Sequence, residues 1–108
     1  MTFSVDAVPV APAPIGPNTP GQGATPYYTF NTVPGAASYT IFLWDYATES
    51  STVFGALTPS QVDFGTPGQG RFLQPTALAQ GTYTWVVRAS NAVGTSPWSS
   101  YMTFNVGP

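Results

Sequence analysis

Twelve prolines and eleven glycines in 108 residues leave almost no window in which an α-helix can run uninterrupted. The stretches between these breakers are heavy in Thr, Val and aromatic residues, which suit a pleated strand. Strict alternation then recurs along the chain. Tyr83, Trp85, Val87 and Ala89 share one face of a run, and Tyr28 and Phe30 alternate with Tyr27, Thr29 and Asn31. Tyr39, Ile41 and Leu43 alternate with Thr40, Phe42 and Trp44, and Met102, Phe104 and Val106 with Tyr101, Thr103 and Asn105. Weaker strands are expected around Ser51–Leu57 and Arg71–Gln74, with a short edge strand near Ile15 and a further short piece at Gln61–Phe64. Pro34-Gly35, Pro67-Gly68, Gly81 and Gly94 punctuate these runs, and Pro-Gly suits the middle of a type II turn. Several short strands between such turns, in a chain long enough for one domain, predict an antiparallel β-sandwich.

Composition excludes whole classes of chemistry. Arg71 and Arg88 stand against Asp6, Asp45, Glu49 and Asp63, and there is no Lys, His or Cys. Histidine catalysis, thiol chemistry, Cys/His zinc sites and lysine Schiff bases therefore have no residues to use. Two arginines do not make the basic footprint of a nucleic-acid binder. No apolar run approaches the length of a membrane-spanning helix. The start, Met1-Thr2-Phe3-Ser4-Val5-Asp6, has no basic segment or apolar core, so it does not read as a signal peptide. A surface carried by Thr, Ser, Asn and Gln rather than Lys and Glu leans toward an extracellular setting, where the chain would be a processed or excised piece.

Two stretches resemble a known family. Leu78-x-x-Gly81-Thr82-Tyr83-x-Trp85-x-Val87-Arg88-Ala89-x-Asn91-x-x-Gly94-x-Ser96-Pro97-Trp98-Ser99 is similar to the late strands of a bacterial fibronectin type III domain. Val33-Pro34-Gly35-Ala36-x-Ser38-Tyr39 is similar to that family's turn between its second and third strands. The resemblance runs from about Ile15 to Val106 and implies an all-β, seven-stranded antiparallel β-sandwich of the fibronectin type III/Ig-like class. It implies structural roles for Phe30, Tyr39, Leu78, Tyr83, Trp85 and Trp98. Tyr83 takes the tyrosine-corner place, its hydroxyl bonding back to the chain just upstream. Phe30 stands where many members carry a tryptophan, and Trp98 is expected to cover the open edge of the core. The turn before Tyr83 is one residue shorter than in the animal form. The fold implies no single function.

The chain also repeats itself. Met1-Thr2-Phe3-Ser4-Val5 and Met102-Thr103-Phe104-Asn105-Val106 agree at four of five positions. This reads as a tandem array cut out of phase. Residues 1–14 would comprise the end strand of a preceding repeat and a Pro-rich linker, Ala7 to Pro14, whose alternating prolines favour polyproline II. Residues 15–108 would form the domain. Phe3 and Val5 become candidate contacts with a neighbour. A second echo, Thr19-Pro20-Gly21-Gln22-Gly23, recurs at Thr66–Gly70, with the two copies expected at opposite ends of the sandwich.

Asp45 and Glu49 flank the turn after the third strand, and with Asp63 they are the acids of the folded body. Their spacing matches neither a glycosidase pair nor a calcium loop, so they read as solvated turn residues. No catalytic, cofactor or metal residue is assigned. The third strand departs from the usual pattern: Phe42 and Trp44 put large apolar groups on the outer face, which an antiparallel sheet normally leaves polar. Phe42 should lie opposite Val86, and Trp44 opposite Thr84, with Tyr101 at the rim. Such a patch marks a subunit contact or a sugar-stacking platform, unless the segment from Ser51 to Gly70 covers it. The expected function is thus a non-enzymatic structural repeat of an extracellular surface protein or filament. Its partners would be copies of itself or adjacent repeats, with carbohydrate as the alternative ligand and no nucleic acid. The alternatives are a spacer or carbohydrate-binding module of a secreted polysaccharide-degrading enzyme, and a phage virion decoration domain.

Overall fold

The computed structural model describes residues 9–18, 21–62 and 68–107. Phe3, Val5, Asp6 and Asp63 lie outside the described residues. The elements are β1 (Pro14–Gly16), β2 (Tyr27–Asn31), β3 (Ser38–Asp45), β4 (Ser50–Leu57), α1 (Pro59–Val62), β5 (Gln69–Leu73), β6 (Gly81–Ser90) and β7 (Met102–Val106). Two antiparallel sheets result, one ordered β1-β2-β5 and the other β4-β3-β6-β7. In the constant-type immunoglobulin arrangement the fourth strand joins the first sheet. Here β4 pairs with β3 instead.

Alternation in the sequence becomes alternation in burial. Tyr39, Ile41 and Leu43 of β3 and Tyr83, Trp85, Val87 and Ala89 of β6 are buried, facing Tyr28 and Phe30 of β2. Aromatic pairs fill the space between the sheets: Tyr28 and Trp85 have centroids 5.3 Å apart, Phe30 and Tyr39 5.0 Å. Tyr83 stacks on Phe104 at 5.5 Å. Buried polar atoms need partners. The Tyr28 hydroxyl donates to Gln74 Oε1 at 2.6 Å, and Trp85 Nε1 donates to the Pro17 carbonyl at 3.1 Å. Thus the core is apolar at its centre and stitched by two bonds at its margin.

The Pro34-Gly35 turn forms as expected. Gly35 has φ +80°, which a Cβ would oppose, and Ala36 N donates to the Val33 carbonyl at 3.4 Å. The Tyr39 hydroxyl then accepts from Val33 N at 3.1 Å and ties the turn to β3. At the other end of the sandwich, the Tyr83 hydroxyl donates to the Ala79 carbonyl at 2.7 Å. The two Pro-Gly-Gln-Gly echoes also separate. Gln22 bonds Asn105 and Gly107 at the exit of β7, whereas the Gly68 carbonyl accepts from Thr32 N past the far end of β2.

Three expectations are corrected. Residues 59–62 form α1, where a short strand was expected to begin at Gln61. The reason is local: Thr58-Pro59-Ser60-Gln61 is a capping box with proline at the first helical position. Gln61 Oε1 accepts from Thr58 N at 2.7 Å, and the turn delivers Val62 into the core. The expected linker does not stop short of the sheet. Pro12 is fully buried, Ala13 accepts a bond from Asn31 N, and Pro14 pairs with Phe30. Trp98, finally, does not close the core edge; it lies on the outer face of the four-stranded sheet, against Phe42.

Candidate functional site

That outer face is set by the β3–β6 register. Phe42 opposes Val86 and Trp44 opposes Thr84, with Thr40 opposite Arg88. On the other side of β3, Phe42 pairs with Val53 and Trp44 with Ser51. One row across the sheet therefore reads Val53, Phe42, Val86, with Tyr101 at the entry to β7 beside it. Val53 is 59% exposed and Tyr101 72%, while Phe42, Trp44 and Val86 are half-buried. Trp98, 39% exposed, supplies part of that cover, its ring centroid 5.9 Å from that of Phe42. The described part of the segment from Ser51 to Gly70 does not: it forms the sheet edge β4 and then sends Val62 inward.

Charge on this face is sparse and polarised. The Arg88 guanidinium carbon sits 4.3 Å from the Trp98 ring centroid, in cation–π range. Its Nε is buried without a hydrogen-bond partner. At the opposite end of β3 the acids stand around the turn to β4, with Asp45 in the inward phase opposite Tyr83 and Glu49 in the turn itself. The Asp45 carboxylate accepts from Ala47 N at 2.9 Å, and Glu49 adopts φ +53° in that turn. Near this end the face turns polar, where Thr84 meets both Thr103 Oγ1 at 2.9 Å and the Tyr46 hydroxyl at 3.1 Å.

Beside β6, Ser96 and Ser99 stand in for a missing strand. β7 pairs only with Gly81–Trp85, so the edge groups of Val87 and Ala89 need other partners. Ser99 N donates to Val87 O at 2.8 Å while its Oγ accepts from Val87 N at 3.0 Å. Ser96 does the same for Ala89, at 2.7 and 2.9 Å. Between them Pro97 has no N–H to offer, and Trp98 is turned onto the outer face. The family resemblance includes both serines but says nothing of this bonding. Its signal in the sequence is Ser-Pro-Trp-Ser, two serines with a proline that cannot extend a ladder.

No protein-family model matches the chain, and no curated protein matches it in sequence. The structure does find a neighbour: a Fn3-like protein from Clostridium thermocellum, at TM-score 0.54 and 18% identity, over 97% of each chain. The fold is fibronectin type III-like. In this Fn3-like sandwich Tyr83 holds its corner bond, Leu78 packs half-buried against the core, and Phe30 of β2 is fully buried. Among the described residues no group of three or more acids, His or Cys is placed to hold a metal ion. No helix among the described residues is long and apolar enough to cross a membrane. The outer face around Phe42 departs from the polar surface that an exposed antiparallel sheet normally presents.

Proposed function

We propose that this chain is a non-enzymatic structural repeat of an extracellular surface protein or filament, acting through contacts between successive domains and neighbouring copies. One observation carries the reading. In β7 the inward positions are Met102, Phe104 and Val106, and the outward ones Thr103 and Asn105. Met1, Phe3 and Val5 repeat all three inward residues, and the sole mismatch, Ser4 for Asn105, falls on an outward position. A pentamer that preserves what a core requires and varies only toward solvent has the pattern of a second β7. The path of the chain suits an array. β1 enters beside Asn31 at one end of the sandwich, and β7 leaves beside Gly81 at the other, so repeats would stack end to end.

The test is a fused chain in which residues 1–101 are followed by residues 1–108. Its first unit has no β7 unless Met1–Val5 of the second supplies one. Two cooperative units, with a calorimetric unfolding enthalpy about twice that of the 108-residue chain, are expected because enthalpy scales with the residues folded. An enthalpy of one unit, with exchange-unprotected amides in the first copy of β6, refutes the repeat reading.

A further inference from the structure

We propose that the outer face of the β4-β3-β6-β7 sheet binds the same face of a second copy, strands antiparallel, about a two-fold axis crossing the strands through Val53, Phe42 and Val86. This contact is lateral, so it goes beyond the end-to-end array and does not depend on it.

Three features choose a second copy as the occupant. The central row, Val53–Phe42–Val86, is apolar across three strands, and Trp98 and Tyr101 extend it with exposed aromatic surface. Interface centres are enriched in aromatics and depleted of charge in this way. The charges are arranged for self-complementarity. Arg88 lies toward one end of the face, opposite Thr40, whereas the β3–β4 turn that carries Glu49 lies at the other, next to Asp45, which takes the inward phase opposite Tyr83. A two-fold axis across the strands brings each Arg88 end over the acidic end of the other copy. An axis along the strands would set like ends together, which costs energy. Lastly, the area is small. Four strands about 4.8 Å apart and six residues at about 3.4 Å give a face of roughly 400 Å². Two such faces bury less than a standard interface, so one pair is weak and adjoining repeats would multiply it.

The chain has no cysteine, which makes single-cysteine variants clean probes. Val53 lies on the proposed axis, so two copies of Val53→Cys would face each other. Ser51 lies one row away, and its two copies would be separated by roughly 14 Å along the strands. Leu73, 44% exposed on the other sheet, reports random collision. With a short bis-maleimide at high protein concentration, Val53→Cys should link at least tenfold faster than Leu73→Cys or Ser51→Cys. Adding Arg88→Glu should slow the Val53→Cys reaction several-fold, with the melting temperature checked to show that the domain remains folded. Equal rates for Val53→Cys and Leu73→Cys overturn the proposal. So does a Ser51→Cys rate equal to that of Val53→Cys, which breaks the axis. If soluble oligosaccharide shifts tryptophan fluorescence while Val53→Cys stays unlinked, the face belongs to sugar and the proposal also fails.

Discussion

Ser99 closes a ring of two hydrogen bonds with a single residue of β6, and Ser96 does so with the residue two places on. Both amides that they cap, Val87 N and Ala89 N, are buried. An amide left without a partner there costs about 1–3 kcal/mol, more than the net value of an ordinary hydrogen bond. Ser99→Ala and Ser96→Ala should each destabilise by about that amount in urea unfolding. Losses below about 0.5 kcal/mol, the low end for a net hydrogen bond, would mean that water replaces the hydroxyl. Tyr83→Phe removes a bond to Ala79 O without opening a cavity, so about 1 kcal/mol is expected. Both serines belong to the motif that carries the resemblance, but their bonding to β6 is visible only in the structure.

At the scale of elements, β4 is held to β3 through an irregular step. Tyr39 pairs with Leu57 and Ile41 with Phe54, so β4 carries one residue more than β3 across that interval. Gly55 sits in it, and there the two strands approach closely. A Cβ on Gly55 would lie 2.8 Å from Thr40 Oγ1 and 3.2 Å from Thr40 Cβ. Gly55→Ala should therefore cost about 1–3 kcal/mol, the range for overpacking. Combining it with Thr40→Ala removes the nearest atoms and should recover part of the loss, as a double-mutant cycle would register. An additive cycle would place the strain elsewhere. The bulge lies beyond Ile41–Phe54; from there to Asp45–Ser50 the pairing is unbroken, so the β3–β4 turn sets Val53 beside Phe42.

For the whole molecule, the largest fully buried side chains are the aromatics between the sheets. Trp85 is fully buried, and Trp85→Ala should cost about 3–5 kcal/mol. Thr84→Ala, one residue along on the outer face, should cost far less in the monomer. Equal losses would invert the phase of β6. With no histidine or cysteine, no side chain of ordinary pKa titrates between about pH 6 and 9, so stability should be flat there. The alkaline limb differs. Burial, reinforced by Tyr83, pushes the Tyr28 phenol well above its usual value; burial and then the Asp45 carboxylate raise that of Tyr83. The native state thus holds protons that the unfolded chain releases, and stability is complete below about pH 10 and falls above it. Denaturant midpoints measured from neutral pH to beyond about pH 11 follow this fall, and Tyr28→Phe should flatten it.

Period and punctuation by themselves determined the two-sheet sandwich and the inward faces of β2, β3, β6 and β7, whereas the pairing of Phe42 with Val86 also needed the strand neighbours that the family resemblance implied. The first two features are local: a two-residue repeat assigns faces, and Pro-Gly turns limit where strands begin. Phe42 and Trp44 were legible as an unusual outer face for the same reason. Val53 and Trp98 were not, because Val53 depends on the register that the β3–β4 turn sets, and Trp98 on a segment outside any ladder, where alternation no longer dictates direction. The helix at 59–62 was written in Thr58-Pro59-Ser60-Gln61, but a four-residue capping box weighs little until Val62 has a core to enter. The repeated pentamer is likewise sequence alone. That its one mismatch points outward is decided by the tertiary structure, since a face exists only once β6 and the opposite sheet have defined an inside.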